Sequence, residues 1–448
     1  MGRNTSPRKI LIMGAGGRDF HNFNCLYRER DDVQVVAFTA SQIPFQENRC
    51  YPPDLAGPLY PQGIPIVGAE NLHRIIQQEH IDEVLFAYSD IHHGKLMEIA
   101  SQVLAAGASF RLAGPDETML EAKLPVISVC AVRTGCGKSP LTRYLCRLLI
   151  EQGRRPVVVR HPMAYGRLDI RAVEHFQSFE DLDRFQCTLE EREEYEPLLA
   201  MGLPLFAGID YAAILEVAQG AGDLLIWDGG NNDFPFYRPD LEIVLTDALR
   251  PGHELTFYPG MVNLLRAQLV VISKSDVAGK EQVQTVRQHI RQYNPAAEVC
   301  RGILQVSLQQ PDRLAGQRVV IVEDGPTLTH GGMPGGAGLE AARLFGAGEV
   351  IDPRPYAVGH LASAFEQFLH LQQVVPAMGY NPQQIADLAA TLNAVPADLV
   401  VSATPLDLSR VLQLNKPLLH VNYEFREDKS QMIEETILRF LRQGDIND

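Results

Sequence analysis

The sequence has little of three features that mark other classes of protein: paired cysteines, long apolar runs and positive charge. Its 7 cysteines, at positions 25, 50, 130, 136, 146, 187 and 300, follow no paired metal-binding spacing. An odd and scattered set predicts reduced, buried thiols rather than a disulfide framework. No uncharged apolar run reaches the ~18 residues of a membrane helix, and the first residues lack the apolar segment of a secretory signal. We therefore expect a cytoplasmic protein with no membrane partner.

The charge balance is acidic, with 40 Lys and Arg against 55 Asp and Glu and a formal net charge of -15. Nucleic acids and anionic membranes are bound by basic surfaces, so this balance argues against both as partners. An anionic small molecule would need a local group of basic residues.

Strand-like and helix-like runs alternate from end to end, which is typical of parallel α/β layers. The length of 448 residues exceeds what one hydrophobic core usually serves. We predict an α/β protein in three parts. These are a Rossmann-like N-terminal sheet (1–122), a central P-loop NTPase-type parallel sheet (123–317) and a C-terminal α/β unit (318–448) with a glycine-rich substrate loop.

The N-terminal part opens with an apolar strand that leads into glycines 14, 16 and 17. The third glycine of the dinucleotide fingerprint is not in its usual place, and the second strand ends in Phe38-Thr39-Ala40 without an acidic residue. These departures favour a structural or substrate-sensing domain over dinucleotide binding.

Residues 131–139, Ala-Val-Arg-Thr-Gly-Cys-Gly-Lys-Ser, are the most informative stretch, because they lie between an apolar strand and a helix with Leu at helical spacing. Backbone amides of the glycine turn and the helix N-terminus can bind an anion, Lys138 can reach the β- and γ-phosphates, and the Ser139 hydroxyl can hold Mg²⁺. We predict ATP as the nucleotide, with GTP as an alternative. The predicted nucleotide-binding residues are Arg133, Thr134, Gly135, Cys136, Gly137, Lys138 and Ser139. The alternative is a glycine-rich turn with a surface lysine.

A phosphate loop needs an acidic partner on a neighbouring strand, and Asp228 follows the apolar run 224–227. We predict that Asp228 and Ser139 hold the Mg²⁺ ion. Otherwise Asp228 caps the turn before Gly229. Asn231 and Asn232 follow and suit a loop over phosphates or substrate.

Basic residues follow the ends of three predicted strands, where a parallel sheet collects ligand groups. As a set they predict an anion-binding pocket, although each alone also fits a surface Arg or a core His. The predicted catalytic residues are Lys138, Asp228, Arg160, His161, Arg250 and His253. The run Ser273-Lys274-Ser275-Asp276 resembles the guanine-reading element of GTPases, so Lys274 and Asp276 are predicted to contact the base. Otherwise Asp276 caps the following helix.

Two further segments have unusual composition. Residues 190–196, Glu-Glu-Arg-Glu-Glu-Tyr-Glu, are predicted to form a solvated helix face. Residues 323–338 are rich in glycine and predict a mobile loop that wraps a small polyanion, the alternative being a disordered connector. The predicted substrate-binding residues are Asn231, Asn232, Thr327, Thr329, His330, Gly331 and Gly332.

Four stretches together resemble the cyclic 2,3-diphosphoglycerate synthetase family over nearly the whole chain: residues 16–24, 133–139, 227–233 and 323–332. The phosphate loop resembles that of the dethiobiotin synthetase-like branch. The resemblance implies a Mg²⁺-dependent enzyme that uses ATP to activate one phosphate of 2,3-diphosphoglycerate and closes an intramolecular phosphoanhydride, releasing ADP and phosphate. It also implies a homodimer and a small phosphorylated acid as substrate.

Two other functions fit parts of the same pattern. A P loop with Lys-x-Asp is also found in SIMIBI-type nucleotide switches, GTPases or ATPases that deliver a metal or cofactor to a partner protein. A non-catalytic nucleotide-binding regulator built on the N-terminal sheet has less support, because Lys138, Ser139 and Asp228 form a complete set.

Overall fold

The computed structural model describes residues 6–40, 49–161, 168, 171–230, 233–329, 331–379 and 381–444. Apolar runs form parallel strands and amphipathic runs form the helices between them, as the alternating sequence pattern predicts. The α/β class is confirmed.

The strands begin and end as follows. They are β1 (Arg8–Met13), β2 (Val33–Ala40), β3 (Arg49–Tyr51), β4 (Ile64–Gly68), β5 (Glu83–Phe86), β6 (Ile91–His92), β7 (Ser109–Leu112), β8 (Val126–Ala131), β9 (Pro156–Arg160), β10 (Val173–Phe176), β11 (Leu205–Gly208), β12 (Leu224–Asp228), β13 (Leu241–Asp247), β14 (Phe257–Tyr258), β15 (Leu269–Ser273), β16 (Glu298–Leu308), β17 (Arg318–Asp324), β18 (Glu349–Val350), β19 (Val374–Ala377), β20 (Leu399–Ala403) and β21 (Leu418–Glu427).

The helices connect these strands. They are α1 (Arg18–Leu26), α2 (Pro53–Ala56), α3 (Leu72–Glu79), α4 (His93–Ala105), α5 (Lys138–Glu151), α6 (Phe179–Arg184), α7 (Leu189–Leu199), α8 (Tyr211–Ala218), α9 (His253–Thr256), α10 (Gly260–Arg266), α11 (Lys280–Tyr293), α12 (Gly325–Thr329), α13 (Ala337–Leu344), α14 (Gly359–Gln367), α15 (Pro382–Ala394) and α16 (Met432–Gly444). None of the helices within the described ranges is both long enough and apolar enough to cross a membrane.

The N-terminal sheet has the strand order β3-β4-β2-β1-β5-β7. Its strands are parallel except for the edge strand β3, which is antiparallel to β4. Without β3, the order β4-β2-β1-β5-β7 matches the Rossmann arrangement, in which the first strand is central and later strands are added on both sides of it. The prediction of a Rossmann-like sheet is therefore confirmed.

The main sheet has the order β10-β11-β9-β12-β8-β13-β15-β16-β21-β20-β17-β18, and β19 also pairs with β17. The strands predicted around the phosphate loop are β9, β12, β13 and β15, all parallel to their neighbours. Their carboxyl ends lie at one edge of the sheet, beside the end of β8. This edge positions the candidate site.

The central and C-terminal parts share this sheet rather than forming separate sheets. The long strand β16 pairs in parallel with β15 through its first half, and in antiparallel fashion with β21 through its second half. The part boundaries at 122/123 and 317/318 stay predictions, and the second of them falls between two strands of one continuous sheet. Residues of the C-terminal unit can therefore reach the phosphate loop.

Candidate active site

The phosphate loop, residues 133–139, has the backbone geometry of an anion site. Gly135 and Gly137 have φ angles of 80° and 97°, in the left-handed region that favours glycine. Gly137 is the N-cap of α5, and Lys138 is its first residue. The first amides of a helix have no acceptor within the helix, so the start of α5 offers donors to a phosphate.

Two charged side chains hold this loop from opposite sides. Asp90, in the loop before β6, accepts hydrogen bonds from Arg133 Nε at 2.5 Å and from the Thr134 amide at 3.2 Å. Arg250 donates to the carbonyl oxygens of Thr134 and Gly331, each at 2.7 Å. In this structure Arg133 and Arg250 therefore shape the loop through these contacts.

His253 and Cys136 lie beside these arginines. His253 Nδ1 is 2.7 Å from Arg133 Nη1. Burial and the nearby charges of Arg133 and Arg250 lower the pKa of His253 to about 4, so it is a neutral acceptor near pH 7. Cys136 is fully buried, with its Sγ 3.7 Å from Arg250 Nη2. This placement fits a small space-filling residue.

The residues predicted to hold Mg²⁺ belong to one hydrogen-bonded group. Asp228, at the end of β12, accepts from Thr142 Oγ1 at 3.0 Å and from Arg160. Arg160 also pairs with Glu194 at 2.9 Å. The Ser139 hydroxyl donates to that same Glu194 carboxylate at 2.8 Å, not to Asp228. Glu194 was not predicted from the sequence as a site residue.

The donor chemistry of this group fits a hard cation, because Ser139 and Asp228 offer the oxygen ligands that Mg²⁺ prefers. Binding of the metal by Ser139 would require the hydrogen bond from Ser139 to Glu194 to open. Over the described ranges, no three or more His, Cys, Asp and Glu side chains form a group that could hold a metal. Phosphate oxygens and water would therefore have to supply the rest of the coordination.

The anion-binding pocket predicted from the basic residues stays a prediction, because carboxylates pair with most of these residues in the described part of the chain. The basic residues are at the strand ends, as predicted, but acidic residues collect at the same edge and pair with them. The pairs are Arg160 with Asp228 and Glu194, His161 with Asp233 at 2.5 Å, and Arg250 and Lys274 with Asp247 at 2.8 and 2.7 Å.

Lys274 and Asp276, which are predicted to contact the nucleotide base, line the same cavity as the phosphate loop. Lys274 has a φ angle of 57° and is directed to Asp247. Asp276 is solvent-exposed at the mouth of the cavity described below, and partial desolvation raises its pKa. Contact with a nucleotide base stays a prediction. Asn231 and Asn232 lie outside the described residues.

A cavity of about 420 Å³ lies in front of the phosphate loop, within the range of roughly 300–1,000 Å³ typical of small-molecule sites. Strands β16 and β21 and the start of the C-terminal unit form its far wall. Its charged lining consists of the acids Glu193, Glu194, Asp276, Glu323, Asp324 and Glu340 and the bases Lys138, Arg160, Lys274 and Arg343.

The acidic run that forms α7 is largely buried, so the prediction of a solvated face is wrong. Glu190, Glu191 and Glu193 are 1, 0 and 3 % exposed. Distant residues account for this: Glu190 accepts from the Gly379 amide at 3.0 Å, and Glu191 pairs with Arg171. One local signal was available, because the run has a single Arg among its glutamates. An exposed helix is usually supported by opposite charges one turn apart.

The glycine-rich segment is more ordered than predicted. Gly325–Thr329 forms α12, in which the Thr329 hydroxyl donates to the Gly325 carbonyl at 2.9 Å. Thr327 donates to Asp324 and lines the cavity. In the described part of this segment the remaining cavity-lining residues from α12 onward are 333–337. Three predicted substrate contacts are therefore not at the cavity wall: Thr329, Gly331 and Gly332. His330 lies outside the described residues.

The glycine turn of the N-terminal sheet is filled by the chain itself. The Asp19 carboxylate accepts from the amides of Gly16, Gly17 and Phe20 at 2.9, 3.0 and 2.8 Å. It occupies the place where a Rossmann turn holds a phosphate. A Cβ at Gly14 would collide with this carboxylate. The geometry favours the structural role predicted for this turn.

Comparison with known proteins gives relatives at two levels of similarity. The arginine synthetase ArcE of Thermococcus kodakarensis is 50 % identical over 430 residues, which are 96 % of each chain. A cyclic 2,3-diphosphoglycerate synthetase of the same organism is 23 % identical over 53 % of this chain and 61 % of its own. Another, from Rubrobacter xylanophilus, is 24 % identical over 59 % of this chain and 66 % of its own. No family model matches the chain.

Among solved structures, LpxK from Aquifex aeolicus in complex with ATP matches 77 % of this chain and 95 % of its own, with 13 % identity and a TM-score of 0.41. The cyclic 2,3-diphosphoglycerate synthetases are thus distant relatives. Their similarity covers between half and three-fifths of this chain, not nearly the whole of it. The phosphate loop and the synthetase relatives identify the chain as an ATP-dependent synthetase. It belongs to the family of the arginine synthetase ArcE.

Proposed function

We propose that this protein makes arginine in an ATP-dependent reaction that replaces the ureido oxygen of L-citrulline with nitrogen from ammonia. Arginine and L-citrulline differ only in this terminal group. The oxygen becomes a leaving group when it receives a phosphoryl group, which is the chemistry that a phosphate loop serves. Support comes from the 50 % identity with an arginine synthetase along nearly the whole chain.

The observation that carries the proposal is the charge of the cavity wall. Glu193, Glu194 and Asp324 line the cavity beyond the phosphate loop. Two of the bases that line it are paired with carboxylates, Arg160 with Asp228 and Glu194 and Lys274 with Asp247. Such a wall suits a substrate that becomes a cation, as the guanidinium of arginine is, better than one with several negative charges.

Residues of the loop and its neighbours have distinct tasks in this reaction. Lys138 and the first amides of α5 bind the terminal phosphates. Arg160 lines the cavity and is oriented by its two carboxylate partners, so it can meet negative charge on the transferring group. Mg²⁺ at Ser139 and Asp228 would neutralise phosphate charge.

The raised pKa values of the cysteine thiols favour free ammonia, rather than glutamine, as the nitrogen source. Release of ammonia from glutamine by a cysteine nucleophile needs a thiolate, which forms where the pKa of the thiol is low. All seven cysteines are described, and burial raises the pKa of each one. None is therefore prepared for that reaction.

The second candidate is the closure of 2,3-diphosphoglycerate to its cyclic pyrophosphate. The distant relatives at 23 to 24 % identity favour it. It would place phosphate and carboxylate groups of the substrate against Glu193 and Asp324, where like charges repel strongly because the site is partly dry.

The test is turnover with defined substrates. The protein with ATP, Mg²⁺, L-citrulline and ammonium is expected to form ADP and arginine in equal amounts, followed by a coupled ADP assay and mass spectrometry. Omission of either citrulline or ammonium should stop both products. A cyclic pyrophosphate signal in phosphorus NMR with 2,3-diphosphoglycerate would support the second candidate instead. Hydrolysis that needs an added partner protein would support a nucleotide switch, and GTP in place of ATP tests the choice of nucleotide.

A further inference from the structure

Two carboxyl groups from distant parts of the chain meet at the cavity wall. Glu193, on α7, is 3 % exposed, and Asp324, at the end of β17, is partly buried. Both line the cavity, and a hydrogen bond joins their side chains. The amide of Thr327 donates to Asp324 at 3.1 Å, and its hydroxyl donates as well. The position of the Asp324 carboxyl is therefore fixed by α12.

One oxygen of this pair lacks a donor. In the described part of the chain, Glu193 Oε1 is buried and has no hydrogen-bond partner. Burial, followed by the charges of Asp324 and Glu190, raises the pKa of Glu193 well above its usual range. A buried carboxyl oxygen without a donor costs free energy, which a ligand with N–H groups would recover. The arrangement therefore suits a nitrogenous ligand.

A metal ion matches the same residues less well. Within the described ranges, Glu193 and Asp324 have no third His, Cys, Asp or Glu arranged with them as a metal site. Mg²⁺ also prefers near-octahedral oxygen coordination with several waters, whereas Glu193 is almost fully buried. Ammonium and guanidinium need only donate hydrogen bonds to carboxyl oxygens, and a cation bound there favours the ionised form of Glu193, which strengthens those bonds through charge.

We propose that Glu193 and Asp324 bind the cationic nitrogen that the reaction attaches, as ammonium before the bond forms and as the terminal guanidinium nitrogen of arginine afterwards. This inference rests on the proposed synthesis of arginine. Glu193 on α7 and Asp324 on β17 would then determine the specificity of the cavity for a cationic nitrogen.

Binding of L-arginine and L-citrulline tests the proposal directly, because the two are similar in shape and differ in charge at this end. Calorimetry should show that wild-type protein prefers arginine. The isosteric variant Glu193→Gln is expected to weaken arginine binding roughly 10- to 100-fold, the loss typical of a hydrogen bond to a charged group. Citrulline affinity and the KM for ATP should stay unchanged, while the KM for ammonium should rise.

Glu196→Gln is the matched control, since Glu196 lies on the same helix and pairs with Arg192 at 3.4 Å. It should bind both ligands as wild type does. Thermal unfolding reports whether each variant is folded, and Asp324→Asn repeats the test from the other side of the pair.

The outcomes separate the two proposals. Arginine synthesis with unchanged arginine affinity in both variants would overturn the inference alone. Weaker arginine binding with an unchanged KM for ammonium would overturn the ammonium assignment. A wild-type protein that binds neither ligand and makes no arginine would refute the proposed function itself.

Discussion

Two glycine-rich turns of this protein lead from a parallel strand into a helix, yet a carboxylate of the protein fills one and a cavity lies in front of the other. In the N-terminal turn, residues 14–17, the amides of Gly16 and Gly17 bind the carboxylate of Asp19, from the helix that follows. In the phosphate loop the corresponding helix begins with Lys138, and a cavity lies in front of it. The backbone can bind an anion in both turns, and one side chain in the first helical turn decides whether that anion comes from the protein.

The parts of the chain that carry these two turns also contact each other. The N-terminal part supplies Asp90, which holds Arg133 and the Thr134 amide of the phosphate loop. Just beyond Asp90, strand β6 pairs with β14, which follows the helix that carries His253. The N-terminal part thus supports the phosphate loop through Asp90. Its own glycine turn is occupied by the Asp19 carboxylate.

The comparison predicts the largest effect at the first residue of α5. Lys138→Ala should reduce arginine formation by roughly 100- to 1,000-fold or more, because the lost cation faces the transferring phosphates. The fold should be unaffected. ADP release and thermal unfolding measure the two effects, and turnover at the wild-type rate would remove the loop from the mechanism.

Removal of the carboxylate from the other turn should affect stability rather than catalysis. Asp19→Ala leaves three buried amides without their acceptor, so we expect the free energy of unfolding to fall by about 3 to 5 kcal/mol. Denaturant titration measures it. Sulfate should stabilise this variant more than wild type, because the freed amides can bind an anion. A raised KM for ATP with unchanged stability would contradict the assignment.

The helix after the closed turn should make stability depend on pH. His21, on α1, stacks on Phe236 and has Nε2 2.7 Å from the Thr118 carbonyl oxygen. Burial lowers its pKa from 6.5 to about 4. Between these values the unfolded chain binds a proton that the folded protein does not, so stability should fall by about 3 kcal/mol as the pH drops through this window. His21→Gln should flatten that slope in denaturant titrations; an unaltered slope would contradict the expected neutrality of His21.

The smallest effect is expected at Asp90, through which the N-terminal part contacts the phosphate loop. Asp90→Asn keeps the shape of the side chain but weakens its ionic hold on Arg133. The KM for ATP should rise roughly five-fold, the equivalent of about 1 kcal/mol, with little change in stability. Initial rates at varied ATP concentration measure it. An unchanged KM would show that the phosphate loop keeps its shape without the N-terminal part.

Much of the fold could be predicted from the sequence because it depends on local patterns. The strands around the phosphate loop are apolar runs bounded by turn residues, and α5 has leucine at helical spacing after Gly137. The positive φ angles at Gly135 and Gly137 match residues that alone adopt them without strain. Local chemistry therefore locates the nucleotide site.

The charge of the cavity could not be predicted in the same way. Glu190 is buried because the Gly379 amide, 189 positions along the chain, donates to it. Glu193 meets Asp324, and Arg250 meets the Thr134 carbonyl oxygen, only because the main sheet brings distant parts of the chain together. The sequence shows that bases and acids are present at the strand ends, but not which of them neutralise each other. The bases alone therefore indicate an anionic substrate, whereas the acids that line the cavity with them support the cationic substrate that we propose.

The proposed synthesis of arginine depends on transfer of a phosphoryl group from ATP to the ureido oxygen of the substrate in front of the phosphate loop. L-Citrulline labelled with oxygen-18 at that position tests this directly. Phosphorus NMR of the products should show the heavy isotope in inorganic phosphate, in an amount equal to the arginine formed. Arginine formed together with unlabelled phosphate would contradict the account.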